Sequence, residues 1–288
     1  MPRFGRLAMA AAGFLLAAVA APLAAWMTFT PTGNRWSKVV DDTQTGVTGV
    51  WRVLQLGYAY LLMPALLLLF AVLFVLAYRR SPKDAWVVGG VVLFSNLTVQ
   101  FVKIAPLGIE QSSTALDPLS GHVGVAAGGC LGWLVVGPTS WRRPSAAAAA
   151  AILMAVSSGV MTAGWHSPFQ VLCPLLMATG WAVVGSAVLS PEEDGPWPSE
   201  MSRDTQHGVA ATLSGLLVVA LTTGLLLRYS ASILQLGAAP VALAAVWTAG
   251  WCAAAVGVII LASRYVAVPT AARPMNTSRA IETADRKS

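Results

Sequence analysis

The chain has 288 residues, of which 56% are hydrophobic and only 10% are charged, and its mean hydropathy is +0.68. That balance excludes a water-soluble globular domain and points to a polytopic membrane protein whose side chains are mostly solvated by lipid. The formal charge of +6 has meaning only through where the cations fall, and no basic patch calls for nucleic acid.

Taken in order, Arg3 and Arg6 precede an apolar run from Leu7 to about Phe29. A signal peptide starts in a similar way, but this run exceeds the usual apolar core, so a retained first span is expected. A mixed polar loop from Thr30 to about Leu54 follows, with Trp36 and Trp51 as interface anchors. The second span covers Gln55 to Tyr78, and Arg79, Arg80 and Lys83 form a short basic loop. The third runs from Ala85 to Ile104; on it Asn96, Gln100 and Lys103 recur at helical spacing and predict a polar stripe facing the bundle interior.

The loop 105–120 ends in Asp117-Pro118-Leu119-Ser120-Gly121-His122, which opens into the fourth span, Val123 to Gly137. There Gly124, Gly128 and Gly132 repeat every four residues, a ridge suited to close helix approach. After Trp141-Arg142-Arg143-Pro144, the fifth span covers Ser145 to Gly164, with His166 just beyond it. The sixth begins at Ser167-Pro168, a cap followed by a first-turn proline, and reaches Leu189. An acidic linker, 190–206, separates this six-span core (1–189) from two further spans within 207–262. These two carry no intramembrane charge and read as elements for packing, for a membrane partner or for homo-oligomerisation. The basic tail 263–288 lacks apolar periodicity and is expected to be disordered.

The fold expected is therefore all-α, a polytopic membrane bundle of eight spans with both termini on one side. Placing that side in the cytoplasm puts 13 Lys and Arg residues inside and leaves 5 outside, of 18 in all. An integral plasma-membrane protein, bacterial, with Lys103, Ser120, His122 and His166 at the extracytoplasmic face is the expectation. Cys130, Cys173 and Cys252 sit inside apolar runs without ligand-like spacing, and neither a disulfide framework, a metal site nor a cofactor is implied.

A helix starting near Ser120 would direct its free N–H groups toward anions, beside the His122 imidazole. On its own, Ser-Gly-His also fits an ordinary helix start with an interfacial histidine. The combination of Lys103 ending the third span, Ser120-Gly121-His122 opening the fourth, and Gly164-Trp165-His166 between the fifth and sixth resembles the type 2 phosphatidic acid phosphatase family, over residues 1–190. These are membrane enzymes related to vanadium haloperoxidases.

The family pattern has Lys, six residues, Arg-Pro; then Pro-Ser-Gly-His; then Ser-Arg, five residues, His, three residues, Asp. Here Glu110 and Gln111 stand for the first Arg-Pro, Leu119 for the proline, Gly159 and Val160 for Ser-Arg, and Gln170 for the aspartate.

The resemblance implies that His166 is the nucleophile forming a phosphohistidine and His122 the general acid. It also implies that Lys103, Ser120 and Gly121 hold the phosphoryl oxygens, that Gln170 orients His166, and that no metal takes part. The expected substrate is a phosphatidate-like lipid or a polyprenyl phosphate or diphosphate at the outer leaflet. Set against this, Lys103 and Glu110 cancel where the family carries a positive surplus. A pseudophosphatase, binding lipid or acting as a scaffold without turnover, stands beside the enzyme reading. Gln170 also fits a capping box with Ser167, which leaves its role open between capping and catalytic orientation.

Overall fold

In lipid the backbone finds no partner but itself, so apolar runs of this length become helices. A computed structural model describes residues 3–30, 50–104, 119–162, 165–190, 206, 209–222 and 239–263. Among them the chain forms eight helices and no strand. These are α1 (Arg3–Phe29), α2 (Val50–Arg80), α3 (Pro82–Ile104), α4 (Gly121–Val136), α5 (Arg142–Thr162), α6 (Pro168–Leu189), α7 (Val209–Thr222) and α8 (Ala239–Ser263). A 3₁₀ turn, Thr139–Trp141, joins α4 to α5.

Six of the helices are long and apolar enough to cross a membrane. The other two, α4 and the described part of α7, are shorter apolar helices, α4 having 16 residues. Leu61, Leu67, Leu68, Phe14 and Leu15 lie exposed on α1 and α2, an apolar exterior that only a lipid solvent tolerates. The acidic linker up to Thr205, the loop containing Glu110 and Gln111, and the basic tail from Arg264 lie outside the described residues.

Antiparallel packing of α3 and α4 is visible in their glycine contacts. A Cβ added to Gly128 would stand 2.9 Å from Val92 Cα, one on Gly132 3.4 Å from Val88 Cα, and one on Gly124 3.4 Å from Asn96 Oδ1. The expected ridge is thus where the α4 backbone lies against α3. A second close crossing joins α1 to α6: a Cβ on Gly13 would meet the Gly180 carbonyl oxygen at 2.6 Å. Arg6 at the start of α1 donates from Nη1 to the Ser190 carbonyl that ends α6 (3.2 Å), so these two helices also run antiparallel.

Helix α6 is the centre of the bundle. Beyond α1 it meets α3, where Trp181 donates from Nε1 to Thr98 Oγ1 at 3.0 Å and stacks on Phe94 with centroids 4.9 Å apart. It meets α8 through Phe169 and Trp247, and Cys252, Ala255, Val256 and Ile259 of α8 lie in the same hydrophobic core as α2 to α6. Although it follows the acidic linker, α8 is packed as an inner helix, not as an appendage.

The polar stripe expected on α3 divides. Asn96 turns back to donate from Nδ2 to the Val92 carbonyl (2.8 Å) and faces Gly124, whereas Gln100 is exposed. The α4-facing side of α3 is centred on Val88, Val92, Ser95 and Val99, and Gln100 falls past its edge.

Candidate functional site

The starts of α4 and α6 are built by short-range sequence logic. Ser120 is the N-cap of α4, extended in backbone, and its hydroxyl oxygen accepts from the Val123 N–H at 3.4 Å. In that contact the hydroxyl is the acceptor, and the side chain is fully buried. Ser167 caps α6 in the same way, with Pro168 at the first helical position. Here the capping box is complete: Gln170 Oε1 accepts from the Ser167 N–H (2.8 Å) and the Ser167 hydroxyl from the Gln170 N–H (3.5 Å).

What holds the two helix starts together follows from Pro174. In a regular helix residue 174 would donate its N–H to the Gln170 carbonyl, but proline has none. The Gln170 carbonyl, deprived of its intrahelical donor, accepts instead from the Ser120 N–H at 2.9 Å. A helix-interior proline thereby ties the first residue of one helix start to the first turn of another. Re-satisfying a freed carbonyl from a neighbouring helix is the usual way that membrane helices tolerate proline.

This bridge brings His122 and the His166 segment together. His122, in the first turn of α4, packs its ring on Trp165 with centroids 5.6 Å apart and an interplanar angle of 35°. His166 follows outside any helix and is only 7% exposed. The Val160 carbonyl at the end of α5 accepts the amide protons of both Trp165 (3.0 Å) and His166 (3.3 Å). A Cβ on Gly121 would meet no atom of the described residues within 4 Å.

Of the residues expected at the site, Ser120, Gly121, His122, His166 and Gln170 gather at this end of the bundle. Because α3 runs against α4, Lys103 in the last turn of α3 lies at the same end, but its side chain falls outside the described residues. Gln170 spends its side-chain oxygen on the cap of α6. Val160, at the place of a family arginine, is fully buried in the core.

Among the cations whose side chains are described, Arg6, Arg79, Arg80, Lys83, Arg142 and Arg143 sit at the opposite end, at the start of α1, the α2–α3 corner and the start of α5. There Arg80 pairs with Asp84 at 3.8 Å. Trp165 and Pro174 are the participants that sequence reasoning missed. The signal for Pro174 was its spacing of four residues beyond Gln170.

Fold and site together define a polytopic helical membrane protein with two capped helix starts and two histidine-bearing segments joined at one end. No family model matches the chain, and comparison with curated proteins and with solved structures finds no similar protein.

Proposed function

We propose that the protein is a membrane lipid phosphatase acting through a phosphohistidine on a phosphatidate-like or polyprenyl phosphate or diphosphate at the outer leaflet. The reading includes eight spans, cytoplasmic termini in a bacterial plasma membrane, and a site on the extracytoplasmic face. The observation that carries it is the hydrogen bond from Ser120 to Gln170, which sets the helix starts bearing His122 and His166 side by side.

The reaction runs in two displacements. A ring nitrogen of His166 attacks phosphorus, and the P–O bond to the lipid breaks as His122 protonates the departing oxygen. Water then attacks the phosphohistidine, giving a proton to His122, and inorganic phosphate leaves. The Ser120 hydroxyl proton, the Gly121 N–H and the Lys103 ammonium hold the non-bridging oxygens, supplying the charge stabilisation that such a transfer requires.

A second reading, lipid-phosphate binding without turnover, is favoured by one specific feature. Gln170 Oε1 is engaged by the Ser167 N–H at 2.8 Å and carries no charge with which to stabilise an imidazolium. In a serine protease triad, a worked example of the same logic, exchanging the orienting Asp for Asn lowers turnover about 10⁴-fold.

Purified protein in mixed micelles, supplied with a long-chain lipid phosphate, separates the readings by release of inorganic phosphate. The enzyme reading expects release by the wild type and none by His166→Ala. Equal release by both overturns it. Saturable binding without release by either selects the second reading. Gln170→Glu keeps the capping geometry while adding a carboxylate, and under the second reading it is the change expected to raise turnover. Val160→Arg is a poorer test, because it would force a cation into a fully buried core position.

A further inference from the structure

Two adjacent residues of α8 touch the two helices that flank the His166 segment. Trp247, 7% exposed, sets its ring edge-on to Phe169 near the start of α6, with centroids 5.1 Å apart and an interplanar angle of 62°. Thr248 donates its hydroxyl to Met161 Sδ near the end of α5 at 3.6 Å. Successive residues point about 100° apart around a helix, so neighbouring positions reach different neighbours when the helix lies in a groove between them. Trp251, one turn further along α8, packs edge-on to Trp247 at 6.1 Å and steadies that ring.

Of the described residues between these two contacts, three lie outside any helix. Trp165, His166 and Ser167 form no helical turn, so their path is set by what holds their ends. At one end the Val160 carbonyl takes the amide protons of Trp165 and His166, and Met161 is the next residue. At the other, Ser167 caps α6, and Phe169 is in the first turn. Helix α8 therefore braces the segment at both of its supports.

We infer that Trp247 and Thr248 are positioning residues for His166, so that a helix beyond the six-span core completes the site. The consequence for turnover rests on the function proposed above, but the placement of the imidazole does not. A lost brace lets the His166 segment shift relative to the Ser120–Gln170 bridge, and displacements of this kind alter an imidazole's surroundings before they unfold a bundle.

The chain contains 3 histidines, at positions 122, 166 and 207, so their imidazole resonances in histidine-labelled full-length protein in nanodiscs are assignable by single substitutions. Trp247→Leu is expected to move the titration midpoint of His166, a quantity that ring-current changes leave alone. Trp247→Phe is expected to restore it, and Thr248→Val to give a smaller move. On a lipid phosphate, Trp247→Leu should lower kcat by up to roughly 10²-fold with little change in KM, the size of effect that small misplacements produce.

An unmoved His166 midpoint in both Trp247→Leu and Thr248→Val overturns the inference. Should Trp247→Leu lose its cooperative thermal transition, the near-isosteric Thr248→Val decides alone, and an unmoved midpoint there overturns it equally. Absence of phosphate release from the wild type, with His166 still responsive to α8, refutes the enzyme reading and leaves the brace standing.

Discussion

Replacing Pro174 by alanine tests the link between one proline and the architecture of the site. Alanine supplies the N–H that the Gln170 carbonyl lacks, and in a helix interior it is favoured over proline by about 3 kcal/mol. Against this, Pro174 is buried, and the substitution removes two ring methylenes at about 0.8 kcal/mol each. The Ser120 N–H, now sharing its acceptor, loses a bond with a net worth of about 1 kcal/mol. These terms nearly cancel, so the melting temperature of the detergent-solubilised protein is expected to change little.

The local effect does not cancel. Losing about 1 kcal/mol of protection raises the exchange rate of the Ser120 amide by roughly five- to tenfold, because 1.4 kcal/mol corresponds to a factor of ten. Residue-resolved hydrogen exchange of wild type and Pro174→Ala, with thermal melts of the same samples, measures both quantities. Unchanged protection at Ser120, or a fall in stability of several kcal/mol, would refute the reasoning that the proline exists in the fold to release this carbonyl.

Five further substitutions have expected outcomes in thermal unfolding. Gly128→Ala should destabilise by up to about 2 kcal/mol, since overpacking costs about 1–3 kcal/mol and the gain in helix propensity offsets about 1. Gly121→Ala, whose Cβ meets no atom of the described residues within 4 Å, should be neutral or stabilising, and the opposite order of the two would contradict the helix contact. Ser167→Ala should cost about 1 kcal/mol through loss of the α6 cap, whereas Gln170→Glu should cost little because glutamate preserves the box. Arg6→Gln should cost about 1 kcal/mol by weakening the contact to the Ser190 carbonyl, with a smaller cost at high salt. An effect of the same size at every ionic strength would argue against a charge–dipole origin.

Local patterns were legible in the sequence. The apolar runs locate the helices to within a few residues, Ser167 and Gln170 three positions apart announce their reciprocal cap, and the spacing of Gly124, Gly128 and Gly132 marks a contact ridge. The structure shows each of these. Long-range pairings were not legible. An apolar helix such as α8 has no polar face to reveal which side turns inward, so its place in the core could not be read from periodicity. Gln100 illustrates the same limit: its spacing from Asn96 is helical, yet a small angular drift takes it past the edge of the α3–α4 contact. Pro174 announces a vacant carbonyl four residues earlier, but only the fold says which donor arrives.

The brevity of α4 has a consequence for the depth of its ends. Its 16 residues span about 24 Å, whereas a typical hydrocarbon slab is about 30 Å thick. Because 12 of those residues are buried among neighbouring helices, the shortfall of about 6 Å falls within the protein, and the polar ends of α4 at Ser120 and Gly137 sit inside the depth that the longer helices span.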